Sequence, residues 1–308
     1  MDGIHISTEE LIALRGVARH VGRRVRRRKS DAPSGAQASF RRGRGMDYDE
    51  SRPYQQGDDV KRIDWRVTAR TGHMHTKVYQ EETEQTFCMV VDVGAQMAFG
   101  TRRQLKSVLA GRFAALVSWL ALERGDRIGG VVVSDNGVEC VQPSSSVRDV
   151  VALFHAMERL QVQPGSPGQA SQLSQALAAL AGMRRRGASV VVLADLLNVD
   201  GVLDGGTTIS QLAQCARLGP TYVGCIVDPL EAALPVAADY RLSNGTREWV
   251  VRGLAQRDRA RHATQFADRW LALTGACARA NVELFELNNA ELAEDLILAE
   301  APRFQFSS

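Results

Sequence analysis

The chain has 308 residues, 44% of them hydrophobic and 24% charged, with a formal net charge of +3. This allows one large domain, or a large one with a small one, and sets the protein apart from disordered and fibrous chains. No apolar run approaches the ~18 residues that span a bilayer, and the acidic, amphipathic opening "MDGIHISTEELIALRG" lacks the order of a secretory signal, so a cytoplasmic location is expected.

The charge is unevenly spread: residues 1–70 hold 16 Lys and Arg against 10 Asp and Glu, leaving 22 against 25 in the remainder. Ser7 and Glu10 have capping-box spacing, and Leu11, Leu14, Val17, Ala18 and Val21 recur at helical intervals, which predicts a helix from about residue 8 to 28. The basic runs Arg23–Lys29 and Arg41–Arg44 suit nucleic acid, anionic lipid or an acidic protein face, and equally a solvated helix end and linker. "SDAPSGAQASF" between them reads as a linker, and the polar, glycine-punctuated stretch from Phe40 to Glu84 as short strands and loops.

Beyond Gln85 the rhythm changes to apolar strands separated by amphipathic helices. "TFCMVVDV" is a strand, "RRQLKSVLAGRFAALVSWLALERG" a helix and "DRIGGVVVSD" a strand; Asn136-Gly137 then signals a hairpin into "GVECVQP". Helices "SVRDVVALFHAMERL" and "ASQLSQALAALAGMRRR", strand "ASVVVLADL", helix "TTISQLAQCARLG", strand "TYVGCIVD", helix "RDRARHATQFADRWLALTGACARAN" and strand "VELFEL" follow. This alternation predicts a mostly parallel sheet with helices on both faces. The five cysteines (Cys88, Cys140, Cys215, Cys225, Cys277) are scattered through these elements and read as free, mostly buried thiols, not as a disulfide or zinc framework.

Open sheets of this kind bind ligands beyond the carboxyl ends of their strands, where Asp92, Ser134-Asp135, Asp195 and Asp228 stand. The glycine-rich phosphate loops and the G-x-S-x-G elbow are missing from the sequence, which weighs against nucleotide enzymes and serine hydrolases. His73-x-His75 lies in a polar, basic stretch with no third ligand nearby and reads as solvated.

The strand ending in Asp92, the glycine-containing turn, the helix and the later strand ending in Asp195 resemble the von Willebrand factor A domain. Upstream, residues 43–82 are similar to the signature of the domain-of-unknown-function 58 family. Gly45, Arg52, Tyr54, Gly57-Asp58-Asp59, Arg62, Asp64-Trp65, Ala69-Arg70, Lys77 and Glu81-Glu82 fall at its spacing. The resemblance covers nearly the whole chain. It implies residues 1–39 as N-terminal helix and basic linker, 40–85 as a β-rich signature segment, 86–300 as a three-layer von Willebrand factor A-like domain and 301–308 as a tail. In "GDDVKRIDW" the alternating charges predict an ion-pair network around a partly buried Trp65, with Ile63 as a second anchor and Arg52, Tyr54 and Arg70 in the same latch. That network either fastens the segment to the α/β domain or presents a docking surface.

The resemblance also implies a metal-ion-dependent adhesion site, built from D-x-S-x-S, a threonine on a second loop and an aspartate on a third. Carried over, the aspartates are Asp92 and Asp195, the serine positions are Gly94 and Gln96, and the threonine position is Ser171. With both first-loop hydroxyls gone, the expectation is a degenerate site of Asp92, Ser171 and Asp195 with at most weak Mg²⁺. Asp92 and Asp195 then serve as turn or cap carboxylates, and Thr207 or Thr208 in "DGGTTIS" as a helix cap.

Proteins of this resemblance work beside MoxR-type AAA+ ATPases, which implies a non-enzymatic adaptor whose binding face is Asp92, Gly94, Gln96, Ser171 and Asp195. Two other readings stand beside it: a metal-dependent hydrolase using Asp92 and Asp195, and nucleic-acid binding through the basic runs.

Overall fold

The computed structural model describes residues 2–30, 46–55, 58, 60, 63–81, 84–166, 172–199, 202–203, 206–234, 240–243, 248–251 and 256–304. The chain divides into two compact units. The larger opens with helix α1 (Thr8–Ser30), whose stripe Leu11, Leu14, Ala18, Val21 and Val25 is buried. Ser7 precedes the helix as its spacing predicts, but Glu10 turns away to pair with Arg112.

The smaller unit holds strand β1 (Met46–Pro53), helix α2 (Trp65–Thr71) and strand β2 (His75–Glu81), the strands pairing antiparallel. The helix was not visible in the sequence, where only strands and loops are predicted. Asp64 makes it: its Oδ1 accepts hydrogen bonds from the backbone N–H groups of Arg66 and Val67 at 3.1 and 3.2 Å, and Gly72 closes the far end with φ +73°. Ser51 Oγ donates to Asp64 Oδ2 at 2.7 Å, tying β1 to the helix start. Arg52 pairs with Asp58 at 2.7 Å, and the Asp58 carboxyl is held below its ordinary pKa by the Gln55 N–H first and by Arg52 second. Trp65 corrects the sequence reading, since it is 67% exposed while Ile63 is buried at 6%. The cap at Asp64 fixes the start of a seven-residue helix, and Trp65 is its first residue. Gly57, Asp59 and Arg62 lie outside the described residues, as does Gly45; Arg66 and Arg70 form no salt bridge among the described residues. Asp64→Ala is expected to cost about 1–2 kcal/mol by removing a helix cap and the Ser51 bond together; faster hydrogen exchange at the Arg66 and Val67 amides would register it.

Back in the larger unit follow β3 (Thr86–Asp92), α3 (Lys106–Leu122), β4 (Arg127–Ser134), β5 (Gly137–Ser144), α4 (Val147–Leu160), α5 (Leu173–Met183), β6 (Ser189–Ala194), α6 (Thr207–Leu218), β7 (Thr221–Val227), α7 (Pro229–Ala232), β8 (Tyr240–Ser243), β9 (Glu248–Val251), α8 (Gln256–Arg279), β10 (Glu283–Asn288) and α9 (Ala293–Glu300). Six strands form one sheet in the order β10-β7-β6-β3-β4-β5. It is parallel except for β5, which returns through the predicted Asn136-Gly137 turn. The β8–β9 hairpin and the short helices α7 and α9 were not predicted.

Successive residues of β3 feed opposite faces, as the period of a strand requires. Phe87, Met89 and Val91 join a core with α1, α3, α4 and α9, while Cys88 and Val90 join a core with α5, α6 and α8. Residues Lys106 to Ala121 of α3 are all buried, as befits a helix enclosed on every side: the sheet lies beneath it, α4 and α9 flank it, and α1 covers it. The sequence sets residues 1–39 and 301–308 apart, yet α1 belongs to this unit. Phe304, beyond α9, is only 2% exposed and meets Phe113, Tyr222 and Phe285 edge-on or tilted. Cys88, Cys215, Cys225 and Cys277 are buried free thiols, and Cys140 on the edge strand is exposed.

Candidate functional site

The chain enters the sheet at β3, runs to one edge through β4 and β5, then crosses to β6 and builds out the other way. The connections after β3 and β6 depart to opposite faces, since α3 lies in one core and α6 in the other. A crevice between adjacent strand ends is the geometric result, and the strands that flank it end in Asp92 and Asp195. The sheet thus brings together two of the carried-over aspartates. Gly94 and Gln96 follow on the first loop, while Ser171 lies outside the described residues.

Asp92 is 4% exposed. Its Oδ1 accepts the N–H of Gly94 at 2.8 Å, closing a tight side-chain turn. Asp135, at the end of β4, reaches across so that its Oδ2 accepts the Ala95 N–H at 2.6 Å. Between the two carboxylates there is little room: a Cβ on Gly94 would sit 2.8 Å from Asp135 Oδ2 and 3.1 Å from Asp92 Oδ1. A serine at this position requires the Asp135 carboxylate to shift away from its bond to the Ala95 N–H. Gln96 Oε1 is buried without a hydrogen-bond donor from the described residues.

Asp195 is 3% exposed. Its partner is a residue the sequence reading passed over. Lys106, the first residue of α3, is fully buried and places Nζ 2.7 Å from Asp195 Oδ2 and 2.6 Å from Glu231 Oε2. Asn198 Nδ2 donates to the same Asp195 oxygen at 2.7 Å, and Asp195 Oδ1 is buried without a donor. The Phe99 ring lies 5.8 Å from the ammonium. Burial alone would depress the Lys106 pKa, but the charges of Asp195 and then Glu231 outweigh it and hold the pKa above 10.5. The signal was present in the sequence: "LKSVLAG" puts a lysine in an apolar helix and at its N-terminus, where the helix dipole disfavours a cation.

Asp228, at the end of β7, completes the edge. Its Oδ2 accepts the Thr101 N–H at 2.8 Å, and its Oδ1 the Leu230 N–H at 2.9 Å. Glu231 returns a bond to the Asp228 N–H at 2.9 Å, so Asp228 and Glu231 form a capping box on α7. The expected cap at Thr207 or Thr208 is corrected here: the capping position is Gly206, and Thr207 is already the first helical residue. The loops that leave the carboxyl ends of β3, β4 and β6 carry the exposed residues Arg102, Arg103, Asn136 and Asn198, and exposed Thr207 opens α6.

These residues do not fit the octahedral oxygen shell of a tightly held Mg²⁺. Asp92 Oδ1 is committed to Gly94, Asp195 Oδ2 to Lys106 and Asn198, and no group of three His, Cys, Asp or Glu with metal-holding geometry occurs among the described residues. Asp195 Oδ1 and Gln96 Oε1 are oxygens of this edge buried without a donor among the described residues, and the first belongs to the carboxylate that already binds the ammonium. At roughly 4 Å and an effective dielectric constant of about 20, a divalent ion and an ammonium repel by about 8 kcal/mol. That repulsion offsets a large part of the attraction Asp195 and Glu231 would exert on the ion, and the ammonium already takes up their charge.

The doubly wound sheet with its antiparallel edge strand, its helices on both faces and the aspartates at its switch point define a von Willebrand factor A-like α/β protein. The chain belongs to the family described as protein of unknown function DUF58, whose model matches residues 50–270. It is 31% identical over 155 residues to uncharacterized proteins of Mycobacterium bovis and Mycobacterium tuberculosis, which is 50% of this chain and 48% of each relative. The chain therefore spans about half the length of the curated relatives it matches. Among solved structures it is similar to BatB from Bacteroides thetaiotaomicron (14% identity, TM-score 0.41, 70% of this chain and 97% of that one). It is similar also to the SpRpn10 VWA domain (12% identity, TM-score 0.41, 70% and 94%). No helix among the described residues is long and apolar enough to cross a membrane.

Proposed function

We propose that the protein is a non-enzymatic interaction module. It would act as an adaptor beside a MoxR-type AAA+ ATPase in the assembly or remodelling of other proteins, with its binding face at the carboxyl edge of the sheet. The face comprises Asp92, Gly94, Gln96, Ser171 and Asp195 with the exposed rim around them. The observation that carries this reading is the engagement of five carboxylates among the described residues: Asp92 by Gly94, Asp135 by Ala95, Asp228 by Thr101, and Asp195 and Glu231 by Lys106. Hydrolysis needs a group placed to move a proton or activate water, and the loops after β3, β4, β6, β7 and β10 contain no histidine.

The rim offers Arg102 and Arg103, which are exposed and form no ion pair among the described residues. Arginine is enriched where partners dock, and two adjacent guanidinium groups suit an acidic partner surface. Binding of a purified MoxR-type AAA+ ATPase from the same organism, followed by interferometry, tests the proposal. Arg102→Glu with Arg103→Glu is expected to weaken binding about tenfold or more, the loss of one or two hot-spot contacts. Absence of binding by the wild type, or binding indifferent to the charge reversal, would overturn it.

A further inference from the structure

We infer that the Lys106 ammonium is a cation built into the chain at the switch point. It stands in for the divalent ion that the fold otherwise holds at this edge, so the face works without metal. One structural effect of a divalent ion in such a site is to hold carboxylates from separate loops against each other's repulsion. Lys106 has that effect here, joining the end of β6 through Asp195 to α7 through Glu231, from the first turn of α3. The ammonium is fully buried, with Phe99 closing one side. Three further carboxylates of the edge are met by N–H donors: Gly94 for Asp92, Ala95 for Asp135, and Thr101 and Leu230 for Asp228.

Two features argue that the lysine occupies this place for its charge. A cation at a helix N-terminus opposes the dipole, and burial opposes the charged form. An apolar residue would suit both, were the carboxylates not there to be neutralised. The inference is independent of which partner the face binds.

Calorimetric titration of the full chain with MgCl₂ and MnCl₂, joined by Mn²⁺ electron paramagnetic resonance and thermal melts, provides the test. The wild type is expected to give no saturable heat and a Tm unmoved by Mn²⁺ or EDTA. Lys106→Ala removes the ammonium and leaves Asp195, still bonded by Asn198, and Glu231, still bonded by the Asp228 N–H, without their shared counter-charge. This variant is expected to bind Mn²⁺ and to gain Tm with it, an effect lost in Lys106→Ala/Asp195→Asn. Lys106→Gln, which keeps much of the bulk without the charge, takes the place of the alanine variant if that one does not fold. Saturable metal binding by the wild type that Asp92→Ala or Asp195→Ala abolishes would overturn the inference. So would a folded, charge-free variant with no more affinity for Mn²⁺ than the wild type.

Discussion

Lys106→Met is expected to destabilise the α/β unit by about 3–5 kcal/mol, the usual cost of removing one member of a buried ion pair. Methionine matches the lysine stem in length and leaves little cavity, so most of the loss is electrostatic. It strands Asp195, 3% exposed, and Glu231, with a side chain 26% exposed, without their shared counter-charge. The triple substitution Lys106→Met/Asp195→Asn/Glu231→Gln should recover much of the loss, because neutral amides carry a far smaller desolvation cost than unpaired carboxylates. Urea denaturation measures both. A single-variant loss below about 1 kcal/mol would show that the three groups do not act as a unit.

The pH dependence has a definite sign. The folded-state pKa of Lys106 lies above the ordinary 10.5 because Asp195 and Glu231 overcome desolvation. Stability from a raised lysine pKa is fully present below the unfolded value and is lost as pH climbs through the folded one. The gap between wild type and Lys106→Met should therefore hold steady from neutral pH to about 10 and close above it.

The fold was legible where burial wrote a strong pattern. The strands β3, β6 and β7 are apolar on both faces because helices cover both, and such runs admit few readings. Elements fixed by one local contact were not legible. Helix α2 depends on the Asp64 cap, and Trp65 read as an anchor because large aromatic residues are usually buried. Phe304 gave no periodic signal, being a single plug set by tertiary packing against Phe113, Tyr222 and Phe285. At the site, comparison with the adhesion-site motif picked out Asp92 and Asp195 at strand ends, and the sheet order makes those strands neighbours. The comparison passed over Lys106, which lies 89 residues from Asp195 in the chain and outside the motif altogether. A charge inside an apolar helix was the available clue, and it needed a partner that only the sheet order supplies.

Removal of residues 1–30 is expected to unfold the α/β unit or drive it to aggregate, although the sequence presents this segment as a detachable helix with a basic tail. Ile6, Leu11, Leu14, Val21 and Val25 are each at most 5% exposed. At about 1.5–3 kcal/mol for each buried side chain, the helix contributes up to roughly 7–15 kcal/mol, as much as the whole stability of a typical domain. Polar fastenings set its register: Trp119 Nε1 donates to the Leu11 carbonyl at 2.9 Å, Gln161 accepts the Ile6 N–H at 2.8 Å, and Thr8 donates to Glu158 at 2.6 Å. Arg112 binds Glu10 at 2.6 Å, the Asp2 carbonyl at 2.8 Å, and Gln104. Arg112→Ala, a milder probe, is expected to cost about 1–3 kcal/mol by leaving the buried Gln104 oxygen and the half-buried Glu10 carboxylate without their donor. A chain without residues 1–30 that stayed soluble with a cooperative melt near that of the full protein would refute the account. The same packing governs how nucleic-acid binding by the basic runs must be examined. Truncation would remove α1 and with it the cover of α3, so lost binding would report lost folding. Arg23→Gln with Arg24→Gln alters two exposed residues of α1 and leaves its buried stripe intact. Nucleic-acid binding through this run would then weaken with a shallower salt dependence, and an unchanged salt slope would exclude it.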